Sequence, residues 1–259
     1  MPKGGTAQMF YCCGITDKGP VRENNEDAFL INRIVMSSAE MESNVSAPMI
    51  AAVADGVGGE ASGEVASRMA LELLSDLKPS HKTDYEKKIL SVHNSLKRYG
   101  ITHNTENMQT TLCALAVDDR GNAVMINAGD SRMYLCRGGK IKQLSRDQSL
   151  VQMLYDQGII TGEQKRTHAR KNVIFPVLGS LSEDPKPQIM PIEGGLLHGD
   201  VILMCSDGLS DNLTNGEFED ILAQPKKLPK RLADLVERAV KNGSRDNITA
   251  VAVTCFSDK

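Results

Sequence analysis

The apolar positions of this chain come in short blocks whose spacing changes along the sequence. "AFLINRIVM" (28–36) and "MIAAVA" (49–54) are dense and β-branched enough to predict strands. Between them "MSSAEMESNVSAP" (Met36 to Pro48) is polar and turn-rich, and predicts a long loop. From Ser62 to Leu77 the period lengthens. Ala66, Ala70, Leu73, Leu74 and Leu77 recur at helical spacing, with Ser62 placed to cap the helix and Pro79 to stop it. A second helix is expected from about Asp84 to Tyr99, with Ile89, Val92, Leu96 and Tyr99 on one side and Gly100 at its end.

Four short apolar runs follow in "TTLCALAVDDRGNAVMINAGDSRMYLCRGGKIKQLS", separated by Asp-Asp-Arg-Gly-Asn, Gly-Asp-Ser and Arg-Gly-Gly. Read as hairpin turns, these predict an antiparallel meander from Thr111 to Leu144. "DVILMCSDG" predicts a buried strand, "LTNGEFEDILAQ" and "LPKRLADLVERAVKNG" two helices, and "NITAVAVTCF" a last strand. The second of these helices has Pro229 near its start, Gly243 just past its end, and a stripe of Leu228, Leu232, Leu235, Val236, Ala239 and Val240. Blocks of strands and pairs of helices, rather than alternating βαβ units, suggest stacked antiparallel sheets with helix pairs outside.

Composition narrows the function classes. The 259 residues are 41% hydrophobic and 24% charged, ordinary for a globular chain with a core, and no repeat or linker divides them. A net charge of -3, no Trp and few aromatics argue against a nucleic-acid partner. No apolar run approaches the roughly 18 residues of a membrane span, and "MPKGGTAQMF" lacks the apolar core of a secretory signal. Cys12, Cys13, Cys113, Cys136, Cys205 and Cys255 lie mostly in apolar runs, which predicts buried reduced thiols in a cytosolic protein.

Several of the runs meet an aspartate at a turn. "AAVAD" reaches Asp55, "MINAGD" Asp130, "LMCSD" Asp207 and "NGSRD" Asp246, while Glu26-Asp27 stands just before a strand. Aspartate favours turns for local reasons alone. Yet Asp55-Gly56 and Asp207-Gly208 repeat one arrangement: apolar strand, Asp, Gly, polar chain. Strand ends in one sheet lie close together, and carboxylates held close repel one another unless cations stand between them. Carboxylates with a backbone carbonyl, and no His/Cys cluster, suit Mg²⁺ or Mn²⁺ better than Zn²⁺. Gly56 has no side chain to keep its carbonyl from an ion. Two ions bridged by one carboxylate form a hydrolytic centre for phosphate esters. Arg22 is a candidate grip on phosphate oxygens, although a lone arginine in a turn is ordinarily just solvated.

Two other chemistries fit less well. Gly56-Val57-Gly58-Gly59-Glu60-Ala61 matches the dinucleotide pattern G-x-G-x-x-G/A with Asp76 downstream, but that site needs a strand after the helix and "LKPSHKTDYEKK" is not one. No cysteine has an arginine six residues later, as a cysteine phosphatase loop requires.

Read in order, "GITDKGPVRENNEDAFLI", "AAVADGVGGEASGEVAS", "MQTTLCALAV", "NAGDSRMYLCRGGKIKQLSRDQSL", "VQMLYDQGIITGEQKRTHARKNV", "GDVILMCSDGLSDNL" and "SRDNITAVAV" resemble the metal-dependent Ser/Thr protein phosphatases (PPM, type 2C) of the bacterial branch. The resemblance covers nearly the whole chain. It implies an α+β fold, a four-layer α-β-β-α sandwich of two antiparallel sheets flanked by helix pairs, in a single domain over 1–259. It also implies a flap over about 149–173 beside the active site. By position, Asp55 would bridge two core Mn²⁺ or Mg²⁺ ions, with the Gly56 carbonyl on the second. Asp207 and Asp246 would complete the first ion's protein ligands, and Asp130 with Asp207 would hold a third ion. Glu26 and Asp27 would orient metal-bound waters, and Arg22 would bind the phosphate.

The implied reaction is hydrolysis of protein phosphoserine and phosphothreonine by a metal-activated water, without a covalent phospho-enzyme. The implied partners are the phosphorylated substrates of a bacterial Ser/Thr kinase, not nucleic acid or membrane, and a cytoplasmic monomer is expected. Three departures stand out. Val57 replaces the histidine proposed elsewhere as general acid, Asp147-Gln148-Ser149 replaces "DHS", and Phe175-Pro176 replaces a polar residue and an arginine. A catalytically inactive binding module of this fold is the alternative, but such members usually lose metal-binding aspartates that here are present.

Overall fold

The computed structural model describes residues 8–57, 62–105 and 107–256. The chain opens with strands β1 (Met9–Asp17), β2 (Asp27–Ile31), β3 (Ile34–Met36), β4 (Ala39–Ser46) and β5 (Met49–Val57), then helices α1 (Ser62–Ser75) and α2 (Tyr85–Thr102). Next come β6 (Gln109–Thr110), β7 (Leu112–Val117), β8 (Ala123–Ala128), β9 (Arg132–Arg137) and β10 (Lys140–Gln143), followed by two short helices, α3 (Leu150–Asp156) and α4 (Gly162–Thr167). The last third holds β11 (Gln188–Pro191), β12 (Val201–Cys205), the single turn α5 (Asp207–Ser210), α6 (Asn215–Leu222), α7 (Leu228–Lys241) and β13 (Ile248–Phe256).

One sheet runs β10-β9-β12-β13-β1-β4; the other runs β11-β8-β7-β5-β2-β3 with β6 beside β5. Every ladder between these named strands is antiparallel. The sheets stack face to face over Phe10, Phe29, Val53, Leu115, Met204 and Val253. The opposite faces are covered by helices. Leu30, Ala52 and Ala114 meet α1 and α2 through Leu71, Leu74, Ile89 and Leu96. Leu203 and Ala252 meet α6 and α7 through Phe218, Leu232 and Leu235. Alternate residues of one strand therefore serve different cores: Phe29 and Ile31 point between the sheets, Ala28 and Leu30 toward the helices. Because both faces are covered, the central strands read as unbroken apolar runs. The expected α-β-β-α layering is what the chain adopts.

Several local expectations are corrected. Met36 to Pro48 is not a long loop, since it contains β4, paired with β1 along its length. Met41 and Val45 of β4 reach the inter-sheet core, while Glu40, Glu42 and Asn44 stay exposed. Such a polar, charged strand is what a sheet edge requires, and it hides the two-residue period. The meander from Thr111 to Leu144 is two hairpins, β7-β8 in one sheet and β9-β10 in the other. Gly129-Asp130-Ser131 is the crossing between sheets rather than a hairpin turn. Gly129 takes φ +107° there, and a Cβ would sit 2.8 Å from Thr111 Cγ2. Gly100 does not end α2, which continues to Thr102. Ser62 is the first helical residue of α1, so the capping position falls on residue 61, outside the described residues. All six cysteines are free, and all but Cys136 are buried. Among the described residues, no helix is long and apolar enough to cross a membrane.

Candidate active site

Five aspartates meet at one end of the sandwich, drawn from both sheets rather than from one. β2 and β5 are neighbours, and their register sets Asp27 directly opposite Asp55. β12 pairs with β13, so the start of α5 at Asp207 and the turn at Asp246 lie at the same end. Asp246 precedes β13 instead of ending a strand, which corrects the expectation for "NGSRD". The crossing between β8 and β9 supplies Asp130.

Their mutual electrostatics are unfavourable. Burial, then the charges of Asp27, Asp207, Asp130 and Asp246, hold the Asp55 carboxyl well above the usual range. Asp207 is raised in the same way, by burial and then by Asp130, Asp211, Asp246 and Asp27. Asp27 is only 1% exposed. Burial pushes its carboxyl up to about 7 even though the Ser206 hydroxyl donates to it at 2.7 Å. Asp130 is pushed up to about 7 by burial, Asp147 and Asp211. Glu26 is raised by burial, against the pull of Arg22. The Arg22 guanidinium donates to Asp246 at 2.7 Å and remains half exposed.

The donor set is the test of whether cations belong here. It offers carboxylate and carbonyl oxygens, with buried like charges whose repulsion a divalent ion would relieve. Among the described residues, no three His, Cys, Asp or Glu side chains are gathered closely enough to enclose an ion by themselves. A hard divalent ion completes its oxygen shell with water and carbonyl oxygens beside the carboxylates. The residues present fit such ions.

The two Asp-Gly steps have a packing reason the sequence does not show. A Cβ on Gly56 would lie 2.1 Å from the Gly63 carbonyl oxygen and 2.6 Å from that of Glu26. A Cβ on Gly208 would lie 1.9 Å from the Asn247 carbonyl oxygen. Each glycine lets another backbone pass against the acid-bearing turn. Gly58, Gly59, Glu60 and Ala61 of the glycine loop lie outside the described residues. The dinucleotide reading fails on topology, because among the described residues β5 pairs antiparallel with β2, β6 and β7, and Asp76 is a turn residue just past α1.

Residues that sequence reasoning left without a role hold this end together. The Asn247 side chain accepts from Glu26 N at 2.9 Å and donates to the carbonyls of Lys18 and Asn24, both at 2.9 Å. It fixes the segment that carries Arg22, Glu26 and Asp27. The Thr111 hydroxyl accepts from Asp55 N at 3.0 Å and bonds Ser131 at 2.8 Å, tying β5 to the Asp130 crossing. Gln148 exchanges bonds with Gly129 N and O, both at 2.9 Å. Beside Asp130, Arg132 grips Asp147 through two donors at 2.9 and 2.8 Å and reaches Asp211 at 3.0 Å. Lys165 of α4 reaches Asp147 at 3.0 Å, and Lys171 reaches Asp211 at 3.1 Å. The one sequence signal for Asp211 was its four-residue spacing from Asp207, one helical turn. Val57 ends β5 with its side chain exposed, opposite Gln109, and offers no proton.

Comparison with known proteins agrees with this geometry. The family model for protein phosphatase 2C matches residues 23–251. A serine/threonine phosphatase, stp, of Listeria welshimeri is 32% identical over 247 residues, covering 92% of this chain and 93% of that protein. The S. agalactiae serine/threonine phosphatase superposes with a TM-score of 0.81 at 27% identity, over 95% of this chain and 99% of that one. The catalytic domain of the serine threonine protein phosphatase PstP, solved with two manganese ions, superposes with a TM-score of 0.77 at 27% identity, over 96% of this chain and all of that one. Fold and relatedness over nearly the full length thus agree, and the chain belongs to the protein phosphatase 2C family.

Proposed function

We propose that this protein is a Mn²⁺- or Mg²⁺-dependent phosphatase of phosphoserine and phosphothreonine in proteins. The observation that carries the reading is the convergence of Asp27, Asp55, Asp130, Asp207 and Asp246 at one end of the sandwich, where burial and neighbouring carboxylates raise Asp27, Asp55, Asp130 and Asp207. In this reading Asp55, the Gly56 carbonyl, Asp207 and Asp246 would hold the two core ions, and Asp130 with Asp207 would hold a third. Bound there, such ions supply a water of lowered pKa and a positive field for the phosphate oxygens.

The chain's own groups do the rest. Arg22, half exposed and near Glu26 and Asp55, presents a guanidinium to the phosphate and neutralises charge as the ester bond breaks. Glu26 and Asp27 accept hydrogen bonds from water and orient it. Asp27 is kept in place by Ser206, and the Glu26 backbone by Asn247. No side chain is assigned as general acid, so the leaving alkoxide takes its proton from water.

We further infer a single domain over 1–259 with a flap over 149–173, whose base is closed by the Leu150 N to Val173 O bond at 2.8 Å. Its substrates are the phosphoproteins of a bacterial Ser/Thr kinase, and it acts as a cytoplasmic monomer. The support is that the relatives are bacterial serine/threonine phosphatases. The test is phosphate release from a phosphothreonine peptide under metal titration. Activity should need Mn²⁺ or Mg²⁺ and disappear in Asp207→Asn. Equal activity in EDTA, or none with any metal, refutes the reading.

A further inference from the structure

Beside Asp130 the structure holds a cavity of about 620 Å³, reaching from Asp130 and Asp211 to Lys165, Arg166 and Lys171 on the flap. That volume lies within the range of about 300–1,000 Å³ typical of ligand pockets. The segment 149–173 carries Lys165, Arg166, Arg170 and Lys171 against Asp156 and Glu163, a positive patch on a chain whose net charge is -3.

Most of the cations lining the cavity are committed. Lys165 is held by Asp147 and Lys171 by Asp211, and Arg132 is shared between the same two aspartates. Arg166 differs. It lines the same cavity and is exposed, and among the described residues no carboxylate stands within ion-pair distance of it. The backbone that carries it is nevertheless held. α4 begins with a reciprocal cap between Thr161 and Gln164, and Lys165, the preceding residue, is anchored beneath the flap. Arg22 does not line this cavity, so an anion at Arg166 is distinct from the phosphate that Arg22 would bind.

We propose that Arg166 is a specificity-determining residue, selecting phosphoprotein substrates that carry an acidic side chain close to the phosphorylated residue, with the intervening peptide lying in the cavity against α4. The proposal rests on the phosphatase reading above. Because Arg166 would contact the flanking acid and not the reacting phosphate, its contribution is uniform binding, expressed in KM more than in kcat.

The experiment compares phosphothreonine peptides of one length flanked by Asp, Ala or Lys, assayed with Mn²⁺ and normalised to the rate on p-nitrophenyl phosphate, which is too small to span the cavity. At low salt the Asp peptide should show kcat/KM about 3–5-fold above the Ala peptide, the size of a favourable exposed ion pair, and the ratio should fall as salt screens it. Arg166→Ala should bring the ratio to one, Arg166→Glu should invert it toward the Lys peptide, and Arg166→Lys should preserve it. A structural role for Arg166 would change all three peptides equally. A wild-type ratio of one, or a ratio unaltered by Arg166→Ala and Arg166→Glu, overturns the proposal while the phosphatase reading stands. Failure to release phosphate from any peptide removes both.

Discussion

Asp147 tests how the Asp130 side of the site is held. Its side chain is 2% exposed. It accepts from Arg132 Nε at 2.9 Å, Arg132 Nη2 at 2.8 Å, Lys165 Nζ at 3.0 Å and Gln143 Nε2 at 3.0 Å. Burial alone would push this carboxyl up, but Arg132 and Lys165 outweigh it and hold Asp147 below the usual carboxylate range. Asp147→Asn keeps the shape, removes the charge and turns one acceptor into a donor facing a guanidinium. Removing one partner of a buried ion pair costs about 3–5 kcal/mol. Arg132 keeps Asp211 at 3.0 Å and the Ser210 carbonyl at 3.2 Å, so the lower end applies, about 3 kcal/mol. For a chain of this length that is a fall in Tm of about 6–12 °C, readable by urea denaturation and by thermal melts.

The same variant has a pH signature. Asp147 titrates near 3.9 when unfolded and lower when folded, so its stabilisation is complete above the unfolded value and is lost as pH falls through the folded one. The gap between wild type and Asp147→Asn should close below about pH 4. Replacing both partners, Arg132→Met with Asp147→Leu, should recover part of the loss, because neither charge is then left buried alone. A loss below about 1 kcal/mol, the scale of a surface pair, or a double variant as unstable as the sum of the singles, would refute the argument.

Three further outcomes follow from the geometry. Gly56→Ala places a Cβ 2.1 Å from the Gly63 carbonyl oxygen; separating α1 from the site should cut phosphatase activity by about 100-fold while circular dichroism stays native. Asn247→Ala removes three bonds that fix the Arg22–Asp27 segment; it should cost about 1–3 kcal/mol in urea and raise KM for phosphopeptides. Leu235→Ala, fully buried between α7 and its sheet, should cost about 2–5 kcal/mol with kcat unchanged at low temperature, and a kcat defect would mean that this core is coupled to the site.

What was legible in the sequence and what was not divides along a physical line. Features encoded by local period were readable: the helix stripe from Leu228 to Ala239, the apolar run of β5 and the segregated blocks that gave four layers. Features that depend on which sheet a strand joins were not. β4 looked like loop because an edge strand carries Glu40, Glu42 and Asn44 outward. The turn Gly129-Asp130-Ser131 looked like a hairpin because glycine and aspartate suit both a tight turn and a change of sheet.

The same limit explains the site. The acids were visible because carboxylate placement is a property of single positions, and their grouping was inferred from strand ends. Their supports were invisible because each joins distant segments: Asn247 to Glu26, Ser206 to Asp27, Arg132 to Asp147 and Asp211. Gly56 shows how the two levels combine. It was expected to bare a carbonyl to an ion, and the structure adds an independent demand, since the α1 backbone at Gly63 occupies the space of any Cβ. Packing alone therefore accounts for glycine at 56, and its presence is no measure of ion binding. The carboxylates carry that inference, because packing gives no reason to set Asp27 opposite Asp55 with Asp207 and Asp130 nearby, and burial and mutual repulsion outweigh the hydrogen bonds that favour their charged forms until a cation is added.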